Sequence, residues 1–153
     1  MKNKTNLLNP TPAQIKHRNR LWAKALLQND RKARGEMHGI RGGRCCLAVA
    51  QDVAIEHGAL DASLRKEDCH NFPHDNVCRF FGWKTNNPKL NVNVGDKFVK
   101  EEASTLNDGD DNFSGIDIEN SKIRHKGLSH KQIAECVLNT FVRSEPNQSF
   151  KVK

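Results

Sequence analysis

The spacing of apolar residues predicts a first amphipathic helix near the start of the chain. Ile15, Trp22 and Leu26, joined by Ala25, recur at helical intervals, while the basic residues between them fall mainly on other faces. Thr11 is predicted as the N-cap, because Gln14 completes a capping box and Pro12 suits the first helical position. We therefore expect a helix over residues 12–29, followed by a glycine-rich segment up to residue 44 that forms a loop or at most a short hairpin.

The next segment, 45–57, is apolar on almost every side. Gln51, Asp52 and Glu56 form its polar strip, and Gly58 follows as the predicted C-cap. A helix with so little polar surface has to be surrounded by protein, so we expect it at the centre of the fold.

The second half of the chain predicts shorter elements. Pro73 is predicted near the start of a short helix, and Leu90 to Val94 alternates as a strand does. A polar loop is expected over 109–128, although Ile116 and Ile118 alternate within it. Ser129 and Gln132 then form a second capping box. It opens a helix that places Ile133, Val137 and Phe141 on one face.

These elements predict a mainly α fold with a small β element, an α+β domain. A length of 153 residues, 36% of them hydrophobic, fits one compact domain. We expect that domain over residues 11–143, with flexible segments at 1–10 and 144–153. The predicted core consists of Trp22, Leu26, Cys46, Val49, Val53, Phe80, Ile133, Val137 and Phe141.

The net charge of +7 is unevenly distributed along the chain. Residues 1–46 carry +9, residues 47–120 carry −7 and residues 121–153 carry +5. Basic ends around an acidic middle are compatible with an anionic partner, and equally with neutralisation on folding. No stretch approaches the roughly 18 apolar residues of a membrane span, and no apolar run follows the basic N-terminus. Five cysteines, two of them adjacent, suit free thiols in a reducing cytoplasm.

Several short motifs resemble those of a family of small, largely uncharacterised bacteriophage and prophage proteins. The residues that carry the resemblance are Trp22-Ala23-Lys24-Ala25-Leu26, Cys45-Cys46-Leu47-Ala48-Val49, Phe81-Gly82-Trp83 with Asn87-Pro88, Leu106-Asn107-Asp108, and Gln132-Ile133-Ala134. The resemblance covers about residues 20–142. Ala48 stands where the family usually has glycine, and residues 109–128 form a longer connection than usual. The resemblance implies a phage-borne accessory protein and no particular reaction.

The strongest candidate site is a ligand-binding loop formed by Arg41, Gly42, Gly43, Arg44 and Cys45. A glycine-rich turn at a helix N-terminus offers free N–H groups, so a small anion is a suitable ligand. The same field would lower the pKa of the Cys45 thiol and favour nucleophilic chemistry with a nearby histidine. Against both stands a simpler interpretation, because adjacent cysteines heading an apolar helix are ordinary core residues.

Two metal sites are weaker alternatives. Cys69, His70, His74 and Cys78 are zinc-type ligands, and His74 and Cys78 would share a helix face if the helix began at Pro73. Asp108, Asp110, Asn112 and Glu119 match part of a calcium loop, but Phe113 stands where glycine is required. A solvated helix start and an acidic surface loop explain these segments as well, so we expect no bound metal.

The sequence therefore predicts a protein that binds a host protein or a small anionic ligand without catalysis or a cofactor. One alternative is a basic protein with nonspecific affinity for nucleic acid, since residues 16–44 are rich in lysine and arginine. The other alternative is a thiol enzyme that depends on Cys45. No motif indicates a membrane partner, and none fixes the oligomeric state.

Overall fold

Helices and short strands follow one another in mixed order along the chain. The computed structural model describes residues 7–28, 45–65, 72–94, 97–108, 115–117, 122–124 and 127–143. Its elements are α1 (Pro12–Gln28), α2 (Cys46–Glu56), a 3₁₀ turn (Ala62–Arg65), α3 (Asp75–Phe81), β1 (Lys89–Val94), β2 (Lys97–Glu102), α4 (Ala103–Asp108), β3 (Gly115–Asp117), β4 (Lys122–Arg124), α5 (His130–Val137) and a π-helical turn (Leu138–Val142). The loop expected over 29–44 lies outside the described residues.

Helix α1 begins as predicted and packs against α2, α3, α5 and the π-helical turn. The Thr11 hydroxyl accepts the Gln14 N–H at 3.2 Å, and the Gln14 side chain accepts the Thr11 N–H at 2.9 Å. The buried face differs from the predicted stripe, however. Ile15 and Ala25 are only half-buried, whereas the polar residues Arg18 and Asn19 are buried beside Trp22, Ala23 and Leu26.

Helix α2 is the central helix that the sequence predicts. Every residue from Cys46 to Ala54 is buried, including the polar Gln51 and Asp52. Cys45 is its N-cap, and Gly58 follows the end of the helix with a left-handed φ of +80°. The C-cap is His57, one residue earlier than predicted, and Gly58 is the left-handed residue that follows it.

Helix α3 starts two residues later than predicted. The His74 side chain caps it, because its Nδ1 atom accepts the Asn76 N–H at 3.1 Å, and Pro73 stands outside the helix. The helix ends at Gly82, which has a φ of +72°. A side chain at this position would meet Ile15, since a Cβ atom would lie 2.5 Å from Ile15 Cγ1 and Cδ1.

Within the described ranges, the β structure consists of two antiparallel hairpins instead of one isolated strand. β1 pairs with β2, with Lys89 opposite Glu102, Asn91 opposite Lys100 and Val92 opposite Val99. The pairing of β3 with β4 corrects the expectation of a polar loop over 109–128, within which the alternation of Ile116 and Ile118 was the one indication of a strand. The hydrophobic pattern predicts neither β2 nor α4. The mixed charges of β2 hide its alternation, and α4 is only one and a half turns long.

Helix α5 has the predicted capping box, formed by Ser129 and Gln132. The prediction that Phe141 belongs to the core is wrong, because the chain changes from α-helix to π-helix at Leu138. The wider turn rotates the following residues, so Asn139 and Val142 are buried and Phe141 is half-buried at the rim of the core.

The other eight predicted core residues are buried in one hydrophobic core. The protein is thus a mainly helical α+β domain, as predicted. Leu7, within the segment expected to be flexible, is buried, and its carbonyl accepts a hydrogen bond from Arg18 at 2.7 Å. Residues 1–6 and 144–153 lie outside the described part of the chain, so their flexibility stays a prediction. Among the described helices, none has the length and apolarity to cross a membrane.

Candidate functional site

The predicted binding loop is only partly described. Arg41, Gly42, Gly43 and Arg44 lie outside the described residues, and Cys45 is the one member whose position is known. Cys45 is buried, and its sulfur accepts the Ala48 N–H at 3.4 Å. The Cys46 N–H is bound by the Asn107 side chain at 3.1 Å. Two amides of this helix N-terminus therefore already have protein partners, and neither is available to an anion.

Burial, with a smaller contribution from Asp108, raises the pKa of the Cys45 thiol to about 11. This result corrects the expectation that the helix N-terminus lowers that pKa. The backbone N–H groups do act in the expected direction, but desolvation of the thiolate outweighs them. Burial likewise raises the pKa of Cys78 to about 11 and of Cys136 to about 12. These thiols are protonated at neutral pH and are poor nucleophiles.

The two alternative metal sites receive no support from the described residues. His74 uses Nδ1 to cap α3, and Cys78 is buried, while Cys69 and His70 lie outside the described part. In the calcium-like segment only Asp108 and Asp117 are among the described acidic residues. Within the described ranges, no group of three or more histidine, cysteine, aspartate or glutamate residues is arranged to hold a metal ion.

An aromatic cluster, formed by Trp22, Phe80, Phe81 and Trp83, joins α1 to the end of α3. Phe81 stacks on Trp83 with ring centroids 4.8 Å apart, and Trp22 lies 4.8 Å from Trp83. Asn19 satisfies the polar groups around these rings. Its amide donates to the Phe81 carbonyl, and its oxygen accepts the Trp83 indole N–H, both at 2.9 Å. The cluster fixes the direction in which the chain leaves α3.

Beyond Trp83 the chain borders an open cavity of about 560 Å³, which we call the lysine cavity. This volume falls within the usual range of small-molecule sites, about 300–1,000 Å³. Its walls come from the segment after α3, from the β1–β2 hairpin and from the π-helical turn. The lining residues are Gly82, Trp83, Lys84, Thr85, Asn87, Pro88, Lys89, Asn91, Lys100, Glu102, Thr140 and Phe141.

Three cations line this cavity from separate places in the fold. Lys84 follows α3, Lys89 begins β1 and Lys100 lies on β2, and all three are exposed. Lys89 and Lys100 are on the same hairpin face, because they are diagonal neighbours in the register. Within the part of the chain that the structure describes, none of the three ammonium groups forms an ion pair or a hydrogen bond.

The acidic residue of the lysine cavity, Glu102, already has a partner. Its carboxylate accepts a hydrogen bond from the Asn87 side-chain amide at 2.6 Å. The same amide nitrogen also donates to the Ser104 hydroxyl oxygen at 2.8 Å. The Asn87 side-chain oxygen accepts the Ser104 N–H at 3.0 Å. The Asn87 side chain therefore ties the segment after α3 to the end of β2 and the start of α4, and among the described lining residues there are three lysines and one carboxylate.

The opposite wall is the π-helical turn. The Thr140 hydroxyl donates to the Cys136 carbonyl at 2.6 Å and accepts the Asn91 backbone N–H at 2.7 Å. This pair of bonds joins the turn to β1. Single π-helical turns are rare and occur often at functional sites. Here the turn places Phe141 against the cavity instead of in the core.

No pattern in the sequence indicates the lysine cavity. Lys84, Lys89 and Lys100 lie in the acidic middle of the chain, and Lys100 belongs to the strand that the alternation pattern missed. The Asn-Pro at residues 87 and 88 was noted, but only as part of a resemblance. Lys84 and Lys100 are 16 positions apart, with Lys89 between them. No local sequence pattern indicates that these three lysines line one cavity.

Comparisons with family models, curated proteins and solved structures find no match to this chain. The resemblance to bacteriophage and prophage proteins therefore stays a prediction. The functional conclusion has to come from the geometry of the described residues.

Proposed function

We propose that the protein is a non-catalytic binding protein whose lysine cavity takes a small anionic ligand. The observation that carries this proposal is the arrangement of Lys84, Lys89 and Lys100 around one cavity whose carboxylate is already bound by Asn87. Cations that line a concave surface of low dielectric reinforce each other's potential. An anion that enters the cavity relieves their mutual repulsion and gains charge-assisted hydrogen bonds.

The chemistry of the described groups favours binding over catalysis. The described cysteines are buried free thiols, and those with shifted pKa values are more strongly protonated than usual. Among the lining residues that the structure describes there is no cysteine or histidine. Buried free thiols also fit a reducing compartment, which supports a cytoplasmic location as part of this proposal.

Calorimetric titration with inorganic tripolyphosphate at low salt tests the proposal. We expect saturable binding to the wild type and a loss of at least about tenfold in affinity for the Lys89→Gln/Lys100→Gln variant, because each charge-assisted bond contributes about 1.5–3 kcal/mol. Lys16→Gln/Lys24→Gln is the matched control, since it removes two exposed lysines of α1 outside the cavity. Equal loss in both double variants would mean nonspecific attraction and would refute the site.

The predicted loop at residues 41–45 is a competing site for the same ligand class. Arg41→Gln/Arg44→Gln should leave tripolyphosphate affinity unchanged if the lysine cavity is the site. If this variant loses binding while the lysine variant retains it, the ligand occupies the glycine-arginine loop. Absence of tripolyphosphate binding to the wild type at low salt would refute a site that binds anions through charge alone.

Two other partner classes remain predictions of the sequence. Nonspecific nucleic-acid binding predicts filter retention of an oligonucleotide at low salt, with affinity that falls steeply as salt rises. A host protein, as expected of a phage-type accessory protein, predicts specific copurification from a host lysate. Either result, combined with unaltered behaviour of the Lys89→Gln/Lys100→Gln variant, would place that partner away from the lysine cavity.

A further inference from the structure

The polar groups that line the lysine cavity divide into those already used and those left for a ligand. Thr85 donates to the Asn87 carbonyl, and its oxygen accepts the Asn87 N–H. Thr140 is used in the same double way, as described above. The Asn91 side chain differs from both. Its backbone N–H bonds Thr140, but its half-buried carboxamide makes no hydrogen bond with any residue that the structure describes.

A free carboxamide has a distinct recognition chemistry. Its oxygen accepts and its nitrogen donates, side by side in one plane, so it pairs with a ligand edge that carries a donor next to an acceptor. Nucleobases have such edges, and asparagine forms bidentate bonds of this kind with them. Lys100 lies directly opposite Asn91 across the hairpin. The register therefore places the Lys100 ammonium group and the Asn91 carboxamide next to each other on one face of the β1–β2 hairpin.

The cavity also offers an apolar surface suited to a flat ring. Phe141 is half-buried at its edge, and Pro88 and the edge of Trp83 are further apolar parts of the lining. A ring that stacks on an aromatic side chain gains about 1–3 kcal/mol per base in single-stranded nucleic-acid complexes. Inorganic phosphate would use the three lysines and leave both the carboxamide and the aromatic surface without a partner.

We infer that the anionic ligand of the lysine cavity is a nucleotide, with its phosphates at the lysines and its base between Asn91 and Phe141. This inference rests on the proposed function, because it assumes that the cavity binds an anion. It adds a specificity-determining role for Asn91. A volume of about 560 Å³ lies in the range of small-molecule sites, which favours a free nucleotide over a nucleic-acid strand.

Competition calorimetry with the four ribonucleoside triphosphates and inorganic tripolyphosphate tests this inference on the full chain. Tripolyphosphate carries at least as much charge as a nucleoside triphosphate, so charge alone cannot favour the nucleotide. We expect at least one nucleoside triphosphate to bind about tenfold more tightly, as one bidentate base contact of about 1–3 kcal/mol provides. If all four bind no more tightly than tripolyphosphate, the base-reading role is wrong while the anion site stands. If none of the five binds, the proposed function fails as well.

The Asn91→Ala variant gives the second measurement. It should lose about tenfold in affinity for the preferred nucleotide, which corresponds to about 1.4 kcal/mol, and keep its affinity for tripolyphosphate. The fold is preserved, because the backbone bond to Thr140 does not involve the substituted side chain. Gln28→Ala is the matched control, since it removes an exposed carboxamide at the end of α1. Equal losses for nucleotide and tripolyphosphate in Asn91→Ala would overturn the assignment of Asn91 to the base.

Discussion

The aromatic cluster and the lysine cavity both use residues from the segment between Phe80 and Lys89, and they differ in whether every polar side chain beside them has a protein partner. In the aromatic cluster, one asparagine side chain serves the Phe81 carbonyl and the Trp83 indole N–H. In the lysine cavity, three ammonium groups and one carboxamide have no partner among the described residues. Trp83 belongs to both regions.

The difference separates stability from binding. Polar groups that are buried and paired cost stability when one partner is removed, because the other is left unsatisfied. Exposed cations without partners contribute little to folding, and their hydrogen-bonding capacity is left for a ligand. Substitutions in the aromatic cluster should therefore alter the free energy of unfolding, and substitutions in the lysine cavity should alter affinity.

The largest effect is expected at Asn19. Asn19→Ala leaves the Phe81 carbonyl and the Trp83 N–H without their partner, so we expect a loss of about 3 kcal/mol in the free energy of unfolding. Urea denaturation measures this loss. Arg20→Ala, at the exposed neighbouring position, should change stability by less than about 0.5 kcal/mol. A loss below about 1 kcal/mol for Asn19→Ala would show that water replaces its bonds.

A smaller effect is expected at Gly82, where the two regions meet. Gly58→Ala should cost about 1 kcal/mol, because its φ is left-handed but no atom lies within 4 Å of a Cβ there. Gly82→Ala should cost about 2 kcal/mol, because the overlap with Ile15 adds to a similar backbone strain. Thermal or urea denaturation of both variants compares them. Equal costs would mean that the Ile15 side chain moves aside freely.

The buried Cys45 thiol predicts a pH dependence of the free energy of unfolding. The folded chain keeps this proton up to about pH 11, whereas a thiol in the unfolded chain releases it near about pH 8.5. The stabilising contribution is therefore complete below the lower pKa and is lost as the pH rises towards the higher one. Between them, wild-type stability should fall relative to Cys45→Ser by about 1.4 kcal/mol per pH unit.

Parallel pH curves for the wild type and Cys45→Ser would contradict a raised pKa. The rate of alkylation is an independent measure of how reactive the Cys45 thiol is. Iodoacetamide at neutral pH should label Cys45 slowly in the folded protein and rapidly in urea. Fast labelling of the folded protein would restore the alternative of a thiol enzyme.

The smallest effect on stability is expected in the lysine cavity. Replacing Lys84, Lys89 and Lys100 together by glutamine should change the free energy of unfolding by no more than about 0.5 kcal/mol, because the three side chains are exposed. The same variant should lose tripolyphosphate binding. A destabilisation above about 1 kcal/mol would show that these lysines have a structural role and would remove the contrast between the two regions.

The parts of the fold that the sequence predicted are those encoded by neighbouring residues. Both capping boxes join residues three positions apart, and both are confirmed. The central position of α2 follows from its continuous apolar surface, which no exposed helix has. The start of α3 was misplaced because histidine is a less usual N-cap than the serine or threonine that mark the other two helices.

The parts that the sequence could not predict depend on contacts between distant residues. Arg18 and Asn19 are buried because carbonyls about 60 positions away accept their hydrogen bonds, and hydrophobic periodicity carries no information about such partners. The lysine cavity depends on a strand that was missed and on a π-helical turn that moves Phe141 out of the core. The predicted loop at residues 41–45 remains a hypothesis, because four of its five residues lie outside the described part.

The closeness of Trp22 and Trp83 has an optical consequence. The chain contains two tryptophans and no tyrosine, so nearly all of its fluorescence and most of its near-ultraviolet absorption come from these two indoles. Their ring centroids are 4.8 Å apart, so their excited states couple. Trp22 is fully buried, whereas Trp83 borders the lysine cavity. The fluorescence of this tryptophan pair should therefore respond to changes at the wall of the lysine cavity, even when the light is absorbed by Trp22 in the core.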